Sequence, residues 1–183
     1  RKNYCESMCT LLSQSNIDIN IRGTYTKQTT TFKWNPLICA VYHIHICIVQ
    51  KLLLCPNINV NDYFIIDDKN DYYKKTALSF AVESGKYRIV QLLLQHPNID
   101  VNAKYYHNTK DNSLIEEIPI LHLAISKKDN NIIQLLLSQN DINVNIIDFD
   151  YIVTNEHYNE EEDFEYLGDN EEEEKNDDDN ENK

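Results

Sequence analysis

Short runs of apolar residues recur along the chain at a nearly fixed interval. Four of them align with one another: CTLLSQSNIDIN (9–20), KLLLCPNINVN (51–61), QLLLQHPNIDVN (91–102) and QLLLSQNDINVN (134–145). Their shared isoleucines, Ile17, Ile58, Ile99 and Ile142, lie 41, 41 and 43 residues apart. A period of this size is typical of proteins built from stacked structural repeats, in which each repeat buries its apolar surface against the next.

A second column of residues has the same spacing. Ala40, Ala81 and Ala124 lie 41 and 43 residues apart, each in a short apolar segment that precedes one of the leucine-rich runs. Asn35, which is followed by a proline, and Thr76 in the next copy are good N-cap residues, so these segments begin as helices. The third copy has no comparable capping residue.

The leucine-rich runs predict a second helix in each repeat. In the best copy, Ile89, Val90 and Leu92–Leu94 have the spacing of one helix face. We expect a turn before this helix at Gly85 and an end at Pro97, because proline cannot continue the helical hydrogen bonds. Helices of about two to three turns are unstable alone. The sequence therefore predicts an all-α repeat solenoid, in which stacked helix–turn–helix pairs form the core.

The order of these motifs resembles the ankyrin repeat, whose hallmark is T-P-L-H-x-A, then I/V-V-x-L-L-L, then G-A-D-V-N. The copy TALSFAVESGKYRIVQLLLQHPNIDVN (76–102) retains most of these positions. The hallmark histidine occurs only as His122, because Ile38 and Ser79 replace it in the other copies. The resemblance covers residues 1–147, with a half repeat at 1–20 and full repeats at 35–61, 76–102 and 119–145.

The period is about eight residues longer than the 33 residues usual in that family. The extra length lies in the connections 21–34, 62–75 and 103–118. In the family this connection is a hairpin finger that projects towards partners. We therefore expect elongated connecting hairpin loops, which we call the fingers.

The resemblance implies a non-catalytic module that binds an unidentified partner protein through the fingers and the concave helix face. The fingers hold nine of the 18 aromatic residues of the chain, and protein interfaces are enriched in Tyr and Trp. The alternative is that these rings pack across strands and support the fingers. The predicted partner-binding residues are Tyr25, Phe32, Trp34, Tyr42, His43, Tyr72, Tyr73, Glu83, Ser84, Tyr105, Tyr106, Ser126 and Lys127.

Charge is concentrated at the C-terminal end. Residues 156–183 carry 15 acidic and two basic side chains, whereas the first 155 residues carry 15 of each. The sequence predicts a disordered acidic tail at 168–183 and a C-terminal cap at 148–167, because a terminal repeat would otherwise leave Leu135 and Leu136 facing water. As an alternative function, the tail binds or chaperones basic proteins electrostatically, with the repeats as a platform.

No motif in the sequence predicts an enzyme, a cofactor or a metal site. His43, His45 and Cys47 suggest a third hypothesis, a zinc-dependent enzyme, but residues two apart on a helix point to different sides and no second ligand pair matches them. The neutral repeats argue against nucleic acid, and no apolar stretch reaches the length of a membrane span. We expect a monomer with reduced cysteines, located in the cytoplasm, with the nucleus as the alternative.

Overall fold

The computed structural model describes Thr10, residues 17–109 and residues 115–145. Most of the predicted half repeat at 1–20, the predicted cap at 148–167 and the predicted acidic tail at 168–183 lie outside these residues. Within them the chain alternates between β-hairpins and pairs of short helices. No helix in the described ranges is long and apolar enough to cross a membrane.

Each hairpin corresponds to one of the fingers. The strands are β1 (Gly23–Lys27), β2 (Thr30–Trp34), β3 (Tyr63–Asp67), β4 (Asp71–Thr76), β5 (Lys104–Thr109) and β6 (Ile115–Pro119). The helices are α1 (Pro36–Tyr42), α2 (Ile46–Leu53), α3 (Ala77–Glu83), α4 (Tyr87–Leu94), α5 (Ile120–Ser126) and α6 (Asn130–Leu137). We call α1, α3 and α5, each of which directly follows a hairpin, the inner helices, and α2, α4 and α6 the outer helices.

The prediction of an all-α repeat solenoid is wrong. The six strands form one antiparallel sheet in the order β1-β2-β3-β4-β5-β6, so each hairpin pairs with the next one as well as within itself. The elongated fingers are long enough to give strands of five or six residues, rich in the aromatic and β-branched residues that favour strands. Pairing between neighbouring hairpins satisfies the main-chain groups that an isolated hairpin would leave open at its edges.

The helices stack in two rows beside this sheet. The inner helix α3 packs against α1 and α5, and the outer helix α4 packs against α2 and α6. Leu78, Val82, Val90 and Leu93 are fully buried in the middle of the stack. The apolar column of each repeat thus forms one continuous core, as the repeat period predicted.

The predicted start signals of the inner helices are confirmed. The Asn35 Oδ1 accepts a hydrogen bond from the Ile38 N–H at 2.9 Å, and the Thr76 Oγ1 accepts one from the Ser79 N–H at 3.1 Å. The third inner helix begins after Pro119 without a side-chain cap, as expected from its sequence. The two caps fix the points at which β2 is followed by α1 and β4 by α3.

The turn between the two helices of each pair has the same left-handed residue. Gly85 has φ +64°, and the equivalent residues Ile44 and Lys128 have φ +55° and +56°. The predicted turn at Gly85 is therefore confirmed. Glycine accepts this conformation without the steric cost that a side chain brings.

A ladder of asparagines joins the outer edge of each repeat to the next. The ladder consists of Asn20, Asn61 and Asn102. Each donates from Nδ2 to a main-chain carbonyl of the following repeat, and each accepts at Oδ1 from the N–H of the residue two positions after that carbonyl. These distances lie between 2.7 and 2.9 Å. The carbonyl and N–H partners are Asn57 and Asn59, Asn98 and Asp100, and Asp141 and Asn143. One asparagine per repeat thus fixes the spacing between that repeat and the next.

The cysteines differ from the expectation of reduced thiols. Cys39 and Cys55 are free, and burial raises the pKa of both thiols. Cys47 is disulfide-bonded. The expectation that every cysteine is reduced is therefore wrong for Cys47.

Candidate functional site

The register of the sheet places alternate finger residues on opposite faces. Cα pairing joins Tyr25 to Phe32, Phe32 to Ile66, Ile66 to Tyr73 and Tyr73 to His107, so these five residues form a row on one face. We call this the inner face, because Phe64 and other members of it pack against the inner helices. The residues between them in sequence lie on the outer face.

The inner face carries a cluster of aromatic rings centred on Phe64. The Phe64 ring stacks with Phe32 at 6.3 Å and with Trp34 at 5.7 Å between centroids, and it meets the edge of Phe80 from α3 at 6.1 Å. Tyr42, at the end of α1, lies 5.5 Å from both Trp34 and Phe80. Offset and edge-to-face ring pairs of this kind hold each ring in a defined orientation.

A cavity of about 180 Å³ opens between this cluster and the inner helices. We call it the aromatic groove. Its lining residues are Phe32, Tyr42, Phe64, Ile66, Lys75, Phe80, Glu83 and Ser84. Five of the eight are apolar or aromatic, and the strands β2 to β4 form one wall while the ends of α1 and α3 form the other.

One wall of the groove contains an ion pair. The Lys75 Nζ donates to the Glu83 Oε2 at 2.7 Å, which ties the end of β4 to the end of α3. The same ammonium lies 4.8 Å from the centre of the Tyr105 ring and 5.5 Å from that of Tyr73. Because the two charges neutralise each other, the groove presents a mainly apolar surface to a ligand.

A second polar cluster fixes the approach of β1 and β3 to α1. Asp62 is buried and accepts hydrogen bonds from the Arg22 guanidinium and from the Asn35 Nδ2, the latter at 3.0 Å. The hydrogen bond and the charge of Asp62 raise the pKa of Arg22. Asn35 thus caps α1 with its Oδ1 and donates to Asp62 with its Nδ2. These two bonds position α1, whose end forms part of the helical wall of the groove.

The structure brings together four of the predicted partner-binding residues. Phe32, Tyr42, Glu83 and Ser84 all line the aromatic groove. Trp34 packs against this lining. His43 lies beside it, exposed, with its ring edge-on to Tyr42 at 5.1 Å.

The other predicted residues lie away from the groove. Tyr73 and Tyr105 stack at 6.3 Å further along the inner face, and Tyr105 is buried, so its ring acts as the structural support that was the alternative interpretation. Tyr72 and Tyr106 lie on the outer face. Tyr25 is half exposed on the edge strand β1, and Ser126 and Lys127 are exposed at the end of α5.

The outer face holds a cation between two rings. The Lys74 Nζ lies 3.7 Å from the centre of the Tyr63 ring and 5.5 Å from that of Tyr106. Burial raises the pKa of the Tyr63 hydroxyl, with smaller contributions from Tyr106, Asp100 and Asp62. These contacts tie three strands together.

The histidine pair near the groove does not form a metal centre in the described region. The rings of His43 and His45 stack at 5.8 Å, and burial together with the charge of His45 lowers the pKa of His43. Among the residues that the structure describes, no group of three or more His, Cys, Asp or Glu side chains is placed to hold a metal ion. The zinc hypothesis gains no support from this part of the chain.

Four residues of the groove are absent from the predicted partner-binding set: Phe64, Ile66, Lys75 and Phe80. Phe64 and Ile66 belong to the run YFIID, in which every residue from Tyr63 to Ile66 is apolar or aromatic. The period of two that separates buried from exposed positions is therefore invisible in the sequence of β3.

A family model described as ankyrin repeats (3 copies) matches residues 1–105, and a second model, for a single ankyrin repeat, matches residues 119–149. A search of curated proteins finds no significant match. The first match alone covers more than half of the chain.

Proposed function

Because the chain belongs to the ankyrin-repeat family, whose repeats are generally non-catalytic protein–protein interaction modules, we propose that it binds a partner protein through the aromatic groove. The observation that supports this most directly is the cavity itself, lined by Phe32, Phe64 and Phe80 beside a neutralised ion pair. The proposed ligand group is a bulky apolar or aromatic side chain that projects from the partner.

The walls of the groove are preorganised for such an anchor. The rings of Phe32, Trp34 and Phe80 already pack on Phe64, so few side chains have to become ordered on binding. Burying one large apolar side chain contributes about 1.5–3 kcal/mol, and residues of this kind supply most of the binding energy in many interfaces. The exposed His43 and the partly exposed Ser84 form the polar rim of the proposed site.

Filling the groove tests this proposal. The variant Ser84→Trp places a large ring at the end of α3, where Ser84 lines the cavity. Gln95→Trp is the matched control, because Gln95 is exposed at the end of the outer helix α4. We expect a quantitative pull-down from native extract to lose its main partner with Ser84→Trp and to keep it with Gln95→Trp.

The affinity of the purified partner, measured by calorimetry, should fall at least tenfold with Ser84→Trp. If both variants retain the partner equally, the aromatic groove is not the binding site.

A second candidate function is supported by the charge distribution. Residues 156–183 carry 15 acidic and two basic side chains, which is suited to the electrostatic capture of basic proteins. A chain that ends at residue 155 separates the two candidates. Binding that disappears with this truncation and weakens steeply with salt supports the acidic segment, because exposed charges are screened within about 10 Å at 0.1 M salt.

The cytoplasmic location and the monomeric state stay predictions. A disulfide at Cys47 is unusual in the cytoplasm, where thiols are kept reduced. Alkylation of the protein in intact cells, followed by mass measurement of the peptide that contains Cys47, would therefore test the location as well as the bond.

A further inference from the structure

Three apolar side chains at the last repeat are exposed although their equivalents in the preceding repeat are buried. Ile125, Leu137 and Val144 are 52%, 49% and 52% exposed. We call these three residues the end face. They come from the inner helix α5, the outer helix α6 and the segment that follows it.

The repeat period identifies the equivalent positions. Five of the six equivalent residues in the full repeats are at most 8% exposed, and the sixth, Leu53, is partly buried. They are Val41 and Val82 for Ile125, Leu53 and Leu94 for Leu137, and Val60 and Val101 for Val144. In those repeats the next repeat supplies the cover, because α3 packs on α1, α5 on α3 and α6 on α4. The end face is therefore an apolar surface of the kind that a following repeat covers elsewhere in the stack.

The two leucines that were expected to face water without a C-terminal cap are at least partly buried. Leu136 is fully buried and Leu135 is partly buried within the last repeat itself, so these two residues do not need a cap. The prediction of a cap depends instead on the end face.

The asparagine ladder also stops at this end. Asn145 is the fourth member of the series Asn20, Asn61 and Asn102 by its place in the repeat. Each of the first three bonds a carbonyl and an N–H of the next repeat through its side chain. Within the described part of the chain, the Asn145 side chain has no such pair of partners, and only its N–H is bonded, to the Asn143 Oδ1 at 2.9 Å.

We propose that residues 146–153 of this chain, IIDFDYIV, cover the end face. Six of these eight residues are apolar or aromatic, and the segment begins directly after Asn145. Covalent attachment gives it an effective concentration on the order of millimolar at the face, which a separate molecule must exceed to compete. The segment from 156 onwards has the opposite character, because its 15 acidic residues oppose burial on an apolar surface.

The proposal extends to the main chain of this segment. In each rung of the ladder the bonded carbonyl and N–H are two residues apart. A segment that bonds the Asn145 side chain in the same way therefore offers it a carbonyl and an N–H that are two residues apart. The proposed segment includes the first six residues of the predicted cap, 148–153, and starts two residues before it; it covers the end face against a further repeat or a second copy.

A double-mutant cycle in the full chain tests whether the two surfaces meet. Leu137→Glu changes the end face, and a triple replacement by Ser at Ile147, Phe149 and Ile152 changes the proposed cover. We expect each change to lower the Tm by about 5 °C, as for a loss of one to two kcal/mol in a domain of this size. We expect the combination to lower it by little more than either change alone, because contacting groups do not contribute additively.

Two matched controls show that the effect is local. Leu54→Glu introduces the same charge at the end of the first outer helix, where Leu54 is well exposed. A triple replacement by Ser at Phe164, Tyr166 and Leu167 removes the same number of large apolar side chains further along the chain. We expect both controls to leave the Tm within about 1 °C.

Three outcomes would overturn the proposal. The first is a Leu137→Glu variant that is as stable as the Leu54→Glu control. The second is a combined variant whose decrease in Tm equals the sum of the decreases caused by Leu137→Glu and by the triple replacement at Ile147, Phe149 and Ile152. The third is a dimer in light scattering that Leu137→Glu converts to a monomer, because the end face would then bind a second copy. Hydrogen exchange supplies a check independent of stability: the proposal requires slower exchange at residues 146–153 than at residues 168–183.

Discussion

The two faces of the sheet are built from the same kinds of residue, yet they differ in what they can bind. On the inner face, Phe64 is buried beneath the aromatic groove and Lys75 is paired with Glu83. On the outer face, the adjacent residues Ile65 and Lys74 are only partly buried. Neighbours in sequence thus have different environments because successive side chains of a strand point to opposite faces.

The difference between the faces comes from what covers them. The inner helices meet the inner face and leave the groove between them, whereas on the outer face side chains of the sheet contact one another, as Lys74 does Tyr63. The same kind of cation–ring contact therefore has a different role on each face. At Lys75 it supports the wall of a cavity, and at Lys74 it links strands on the surface.

The largest predicted difference is between Phe64 and Ile65. Phe64→Ala removes the ring at the centre of the aromatic cluster, and we expect it to lower the free energy of unfolding by about 3–4 kcal/mol. Ile65→Ala, one residue away on the outer face, should cost less than about 1.5 kcal/mol because this side chain is only partly buried. Urea unfolding followed by circular dichroism measures both values. Equal losses would show that the two faces are equally well packed.

Much of the helical part could be predicted from the sequence because its signals are local. Asn35 and Thr76 cap helices through their own side chains, and Gly85 adopts the left-handed conformation in a turn between two helices. Each of these features depends on residues within a few positions of one another. The repeat period then predicts that the helix pairs stack.

The sheet and the groove could not be predicted in the same way. Pairing between β2 and β3 joins residues such as Phe32 and Ile66, which a whole helix pair separates in sequence. The hairpins contain the adjacent pairs Tyr72-Tyr73 and Tyr105-Tyr106, and composition alone does not say which ring of each pair faces the helices. That choice depends on the strand register, because a shift of one residue exchanges the two faces.

The next largest difference is expected between the two adjacent lysines of β4. Lys75→Ala leaves the partly buried Glu83 carboxylate without its partner and removes the ammonium beside Tyr105. We expect a loss of about 2 kcal/mol, less than for a fully buried pair because Glu83 keeps some contact with solvent. Lys74→Ala removes a cation–ring contact at a more open site and should cost about 0.5–1 kcal/mol.

Thermal unfolding at low and high salt distinguishes these two effects. Screening should weaken the contribution of Lys74 more than that of Lys75, because buried pairs are screened less. A Lys75→Ala variant as stable as Lys74→Ala would contradict the assignment of a stabilising ion pair to the groove wall.

The smallest predicted effects concern pH, and they have opposite signs on the two sides of the sheet. Beside the groove, burial and the charge of His45 lower the pKa of His43 in the folded state. The unfolded chain then binds protons more readily than the folded one. The free energy of unfolding therefore has its full value above about pH 6.5 and decreases as the pH falls through the folded pKa. On the outer face, burial raises the pKa of Tyr63. Stability is therefore complete below about pH 10 and falls as the pH rises towards the folded pKa.

Titration of the folded protein checks both signs directly. We expect the NMR midpoint of His43 below 6.5 and the phenolate absorbance midpoint of Tyr63 above 10. His43→Gln should flatten the acid side of the stability profile and leave the alkaline side unchanged, whereas Tyr63→Phe should do the reverse. Because both groups keep much of their contact with water, the changes in Tm should be about 1 °C or less. If His43→Gln altered the alkaline side instead, the two groups would be coupled through the sheet, and its faces would not respond to pH independently.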